Sequence, residues 1–221
     1  MASQIAHIVY AKKYFESIDN GKTTSDFLDE TKILGAQKIN RDEFILGTVF
    51  PDIRRIEPSI KRGETHLKFS VVNLDFSGLT PFEAGWKFHL YCDMRREEIL
   101  NKRNFYDLES TEKLAHIPAK LWEDELLYDE YNNWEKLAGY FRNPPIIDAG
   151  IAVDRKTFVL WYAILAKYIE EKVTAKTMRV FLSKQPKFSQ EIDAIMETIK
   201  ALKKNSLVKK TLIMVKDEII K

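Results

Sequence analysis

Thr80-Pro81-Phe82-Glu83 carries every local signal that a helix start can carry. The threonine can cap the first unpaired N–H groups and the glutamate three residues on can reach back to the threonine's own N–H. Proline at the first helical position sacrifices no hydrogen bond. No stop follows until about Leu100, so a long helix is the first fixed part of whatever this chain folds into.

Helical periodicity extends that reading along the chain. Ser3 can cap a first helix carrying Ile5, Ile8, Val9 and Tyr14, which ends near Asn20-Gly21. Thr24, Ser25 and Asp26 offer caps for a short helix through Leu28 and Ile33, and a third helix runs from Arg41 to Val49 ahead of Pro51. Residues 53–79 are irregular, with Phe69 to Phe76 as a short extended segment. A long helix after Pro118 is expected to carry Leu121, Trp122, Leu126, Tyr131, Trp134 and Leu137, until Pro144-Pro145 breaks it. Further helices cover Asp154–Lys172, Thr174–Leu182, Ser189–Lys203 and Ser206–Ile220. Eight Gly and seven Pro in 221 residues are too few for the tight turns of an all-β fold. The fold class is therefore all-α, a single helical domain over 1–221. A sub-boundary near 142–150 separates a metal-site part, 1–145, from a C-terminal helical lobe, 150–221.

Charge and cysteine content narrow the function. The 35 basic residues nearly cancel the 33 acidic ones, so no nucleic-acid partner is expected. The Lys-rich pieces near the C-terminus read as polar helix faces rather than a phosphate-binding patch. The single Cys92 forms no intramolecular disulfide and reads as a small core residue. Ser3 to Phe15 mixes His7, Lys12 and Lys13 into apolar positions, unlike an export signal. The longest apolar run, Phe158 to Ala166, falls short of a membrane span. A cytoplasmic location is expected; the oligomeric state is open.

Chemistry concentrates where the histidines fall. His89 and Asp93 lie four apart on the Thr80 helix, so their side chains share a face about 6 Å apart and can grip one cation. Gly85, one turn earlier on that face, allows another backbone to come close. Asp52 and His66, fourteen apart across irregular chain, are presented from bends, and His7 points inward from an apolar first helix. For each pair the bland alternative is a buried hydrogen bond, a capping Asp or a satisfied core His. His116 is expected on a loop before Pro118 with no role. Glu123, Asp124, Glu125, Asp129 and Glu130 read as a solvated face, with supply of a metal ligand as the alternative. Arg54 and Arg55 read as surface charge, with contact to a substrate phosphate as theirs.

In order, these residues make a pattern: His7, then Leu46-Gly47 leading to Pro51-Asp52, then Thr65-His66, then Ala84-Gly85-Trp86-Lys87-Phe88-His89-Leu90-Tyr91-Cys92-Asp93. Over residues 3–100 it resembles the zinc-dependent phospholipase C family, whose α-helical fold is shared with zinc-dependent single-strand nucleases. The resemblance implies that Asp52, His66, His89 and Asp93 ligate one zinc, and that Asp93 bridges to a second metal also bound by His7. It departs from the family in two places. The exported enzymes begin at a Trp whose amine and carbonyl ligate metal, whereas this chain begins Met1-Ala2. The family's further His and its His-x-x-x-Glu pair are missing, since four residues after His116 stands Lys120. One or two divalent ions are thus expected, with zinc foremost and iron, manganese and nickel compatible with the donors.

Three neutral imidazoles and two carboxylates bring −2, which neutralises one dication; a second would leave room for hydroxide and a phosphate diester. The expectation is a metal-dependent hydrolase of small phosphate esters, with Asp52 or Asp93 orienting water. The alternative is a non-catalytic helical scaffold with a structural or relic metal site, and a nucleic-acid-binding role for the Lys-rich C-terminal helices is the weaker third reading.

Overall fold

The structure, a computed structural model, describes residues 3–20, 39–108 and 116–221. The described residues form ten α-helices and four short 3-10 turns, with no strand. The helices are α1 (Gln4–Asp19), α2 (Arg41–Val49), α3 (Arg62–His66), α4 (Pro81–Lys102) and α5 (His116–Leu127). They continue as α6 (Trp134–Arg142), α7 (Arg155–Ile169), α8 (Ala175–Ser183), α9 (Ile192–Leu202) and α10 (Ser206–Glu218). The short helix expected through Leu28 and Ile33 lies outside the described residues.

α4 begins as its sequence dictates. Thr80 Oγ1 accepts from the Glu83 N–H at 3.2 Å, and the Glu83 carboxylate accepts from the Thr80 N–H at 3.1 Å. The helix then packs along α2, and two glycines set how closely. A Cβ added to Gly85 would land on the Phe44 carbonyl and lie 2.9 Å from the Thr48 nitrogen. One added to Gly47 would land on the Phe82 carbonyl. Each helix therefore presses backbone against the other's glycine, a separation that no larger residue permits.

α1 is buried on every side from Gln4 to Ala11, which makes it the central helix. Its N-terminus is fixed from α5: the Asp124 carboxylate accepts from Ser3 Oγ at 2.6 Å, the Ala6 N–H at 3.0 Å and the Tyr168 hydroxyl at 2.9 Å. Glu123 accepts from Tyr10 and from Arg96 Nε of α4, the latter at 2.8 Å. α10 packs on α1, α4 and α5. From α7, Trp161 donates to the Val49 carbonyl and Tyr162 to the Leu46 carbonyl, so helices on both sides of 142–150 meet at the end of α2.

Several expectations need correction. Ser3 stands at the N-cap position but its hydroxyl is drawn to Asp124 and makes no cap bond. Phe69 to Phe76 is a run of bends without strand pairing. The helix expected from Pro118 through Leu137 is two helices. It starts earlier, at His116, and breaks after Leu127, where Trp134 Nε1 donates to the Tyr128 carbonyl and stacks on its ring. His116 is thus helical rather than in a loop, packed against the Tyr106 ring. Ser189 to Glu191 precede α9 instead of forming its first turn. Glu123 and Asp124 are fully buried, so the solvated acidic face is reduced to the half-buried Glu125 and the exposed Asp129 and Glu130. Arg55 is no surface charge, because its guanidinium is packed against Asp52.

A candidate metal centre

Four elements bring the five expected ligands together. His7 comes from the buried run of α1, and Asp52 from the 3-10 turn Phe50–Arg55 that Pro51 starts. His66 ends α3, whose position is set by Trp86 Nε1 donating to the Thr65 carbonyl at 2.6 Å. His89 and Asp93 occupy successive turns of α4. Two overlapping donor groups result, His7 with His89 and Asp93, and Asp52 with His66 and His89; within each, the ligand atoms lie within 4.8 Å of one another. Either buried group could hold a metal ion. His89 belongs to both.

The distances favour a shared cation over direct hydrogen bonds. Asp93 Oδ1 is 3.4 Å from His7 Nε2, while its Oδ2 is 3.5 Å from His89 Nε2 and 3.9 Å from His66 Nε2. A good N–H···O bond spans 2.7–3.2 Å. The edge of a tetrahedron of nitrogen and oxygen ligands around zinc, with bonds near 2.0–2.1 Å, is about 3.3 Å. The shorter two separations match that edge. His89 Nδ1 is 2.9 Å from the Thr48 carbonyl and so carries the proton there, which leaves Nε2 as a lone pair facing the cluster. His66 Nδ1 is held by Thr65 Oγ1 at 2.8 Å. The Nε2 atoms of His66 and His89 and Asp52 Oδ1 are buried without a hydrogen-bond partner among the described residues. Such orphaned acceptors are costly unless something fills the role.

Asp52 is fixed through its other oxygen, which accepts from Gln4 Nε2 at 2.6 Å and from Arg55 at 2.7 Å. His66 and Asp93 are the least buried of the five, at 9% and 8% exposure against 0–1% for His7, Asp52 and His89. The His7 and His89 rings stack 4.0 Å apart, an arrangement that two charged imidazoliums would oppose.

The protonation states suit metal binding. Burial pushes both His66 and His89 down to about 3, and lowers His7 against the pull of Asp93. Burial alone would raise the carboxyls. At Asp52 the Arg55 guanidinium is the chief cause that outweighs it, and both carboxyls are held well below the usual carboxylate range. At neutral pH the five side chains are neutral imidazoles and ionised carboxylates, the forms that ligate metals.

Acid should therefore destabilise the metal-free protein. His66 and His89 bind protons more weakly when folded than when unfolded, where the ordinary value is 6.5. Their contribution is intact above about pH 6.5 and is lost as pH falls toward 3, each histidine removing about 1.4 kcal/mol per pH unit. Asp124, raised by burial to about 7, works the other way, since its folded form gains protons between about 7 and 4. The net loss expected is about 1.4 kcal/mol per unit below pH 6.5. Urea unfolding at pH 7 and pH 5, with chelator present, checks this; equal midpoints would mean that the histidines are not buried as neutral groups.

Sequence reasoning missed Gln4, Thr48 and Lys120 around the site, and misassigned Arg55. Nothing in helical periodicity marks Thr48 or Gln4. Arg55 had a signal, since it lies three residues after Asp52 in a turn that sets the two side by side. Cys92 is buried core, as expected, and burial raises its thiol well above the ordinary range. No helix of the described residues is long and apolar enough to cross a membrane. No protein-family model, no curated protein and no solved structure matches the chain.

Proposed function

We propose that the protein is a metal-dependent hydrolase of phosphate esters, with one or two divalent ions, zinc foremost, held by His7, Asp52, His66, His89 and Asp93. The observation that carries the reading is the convergence of three imidazole nitrogens and two carboxylates in two overlapping donor groups, with His7 and His89 at 3.4 and 3.5 Å from the Asp93 carboxylate, close to the edge of a metal's coordination shell. A bound divalent ion would supply Lewis-acid activation of water and of the phosphoryl group. The chain's own residues do the rest. Thr48 and Thr65 hold His89 and His66 in orientation. Gln4 and Arg55 fix one oxygen of Asp52 and direct the other into the cluster. Asp93, the less buried of the two carboxylates, would orient an attacking water.

Because His89 serves both donor groups, His89→Ala is the most informative variant. Elemental analysis of the wild type after zinc or manganese loading is expected to give one or two equivalents, and the variant none. Hydrolysis of phosphomonoesters and phosphodiesters should depend on that metal. A folded His89→Ala protein that retains its metal would sink the site assignment. The deep burial of three of the five donors favours a second reading, a closed structural metal site without catalysis. Metal-loaded protein that hydrolyses no phosphate ester would select it.

A further inference from the structure

Lys120 of α5 is 2% exposed, and its ammonium has no hydrogen-bond partner among the described residues. A buried cation in that state is costly, and cores keep such groups where they serve a purpose other than stability. Its place is defined by the neighbouring ion pair. Arg96 stands one turn beyond Asp93 on α4 and binds Glu123, and Lys120 stands one turn before Glu123 on α5. The ammonium is within electrostatic reach of Asp93, Asp52, Arg55 and Arg96.

Charge counting shows what the neighbourhood lacks. With Lys120 protonated, Asp52 and Asp93 balance Arg55 and Lys120, and the metal-free cluster is neutral. One dication leaves it at +2. The two nearby acids are committed elsewhere, Glu123 to Arg96 and Tyr10, and Asp124 to Ser3, Ala6 and Tyr168. The missing charge must then come from a ligand, and Asp93 and His66 mark the least buried side of the cluster.

We propose that Lys120 is an anion-binding residue of the metal centre, its ammonium donating to an oxygen of a phosphate dianion seated there. The proposal rests on the metal-centre reading above and names the kind of anion that the site takes: a phosphomonoester or free phosphate, whose two charges match the excess left by one dication. Burial pushes the lysine down to about 7, and an adjacent dianion restores its full charge.

Inorganic phosphate is the probe. Its binding is measured by calorimetry to zinc-loaded wild type, Lys120→Met and Lys120→Gln, with zinc content determined on the same samples. Met matches the lysine stem in volume, and Gln keeps a polar head should Met disturb folding. The expected result is unchanged zinc stoichiometry with phosphate affinity at least tenfold weaker in the folded variants. Affinity within twofold of the wild type, no phosphate binding by the wild type, or loss of zinc together with phosphate would each overturn the role. Should the wild type take up no zinc, the metal reading fails separately, and phosphate is titrated into the metal-free proteins. There a tenfold difference supports Lys120, and equal or absent binding overturns it.

Discussion

Gly85→Ala should cost about 3 kcal/mol of stability or leave the protein unfolded, the effect of forcing a side chain into a space already filled by backbone. The added methyl meets the Phe44 carbonyl and the Thr48 nitrogen, neither of which can rotate away as a side chain would. Relief requires α2 and α4 to separate, and that movement carries His89 away from the Thr48 carbonyl that orients it. A variant that still folds should therefore bind metal more weakly than the wild type. Gly47→Ala meets the Phe82 carbonyl and should behave alike. Gly139→Ala is the control. It sits exposed in α6 with nothing within 4 Å of an added Cβ, and better helix propensity should stabilise it by up to about 1 kcal/mol. Urea midpoints for the three variants give the comparison. A Gly85→Ala protein as stable as the Gly139→Ala control would show that the two helices are not in backbone contact.

Arg96→Met should cost about 3–5 kcal/mol, because it strands a buried carboxylate. Arg96 and Glu123 are 1% and 0% exposed, and with the guanidinium gone Glu123 keeps only the Tyr10 hydroxyl. Removing the charge from both sides tests the cause. In Arg96→Met with Glu123→Gln the neutral amide still accepts from Tyr10, and at least half of the lost stability should return. A single substitution costing under about 1 kcal/mol, the range of exposed pairs, would mean that water reaches Glu123. The pair also joins α4 to α5 one turn from Asp93, so the single variant should weaken metal binding along with stability.

The residues of the candidate metal site were legible in the sequence to an uneven degree. His89, Asp93 and Gly85 follow from one rule, the spacing of a helix whose start is marked by its capping box. His7 could be placed facing inward, but not beside His89, because the approach of α1 to α4 is a tertiary fact. The acidic run from Glu123 to Glu130 shows why the rest was not legible. By composition it is a solvated face, yet Asp124 meets Ser3 across 121 residues of chain and Glu123 meets Tyr10 across 113. No local pattern encodes partners at that range. The break after Leu127 was equally silent, since Tyr131-Asn132-Asn133 contains neither Gly nor Pro and the helix yields to the packing of Trp134 on Tyr128. Lys120, lying between apolar positions of α5, gave no sign of burial.

The glycine seam between α2 and α4 bears on how the donor cluster meets an ion. Thr48 and His89 sit across that seam, and backbone pressed on backbone leaves them no slack. The lone pairs are thus aimed before any ligand arrives, and their ordering is completed during folding rather than on binding. A cluster framed in this way would be preorganised for an ion: affinity would not be diminished by a conformational search, and geometry would be dictated by the frame rather than by the ion. Such a frame favours a small ion with short, fixed bonds over one such as calcium, which needs more oxygen ligands at longer range.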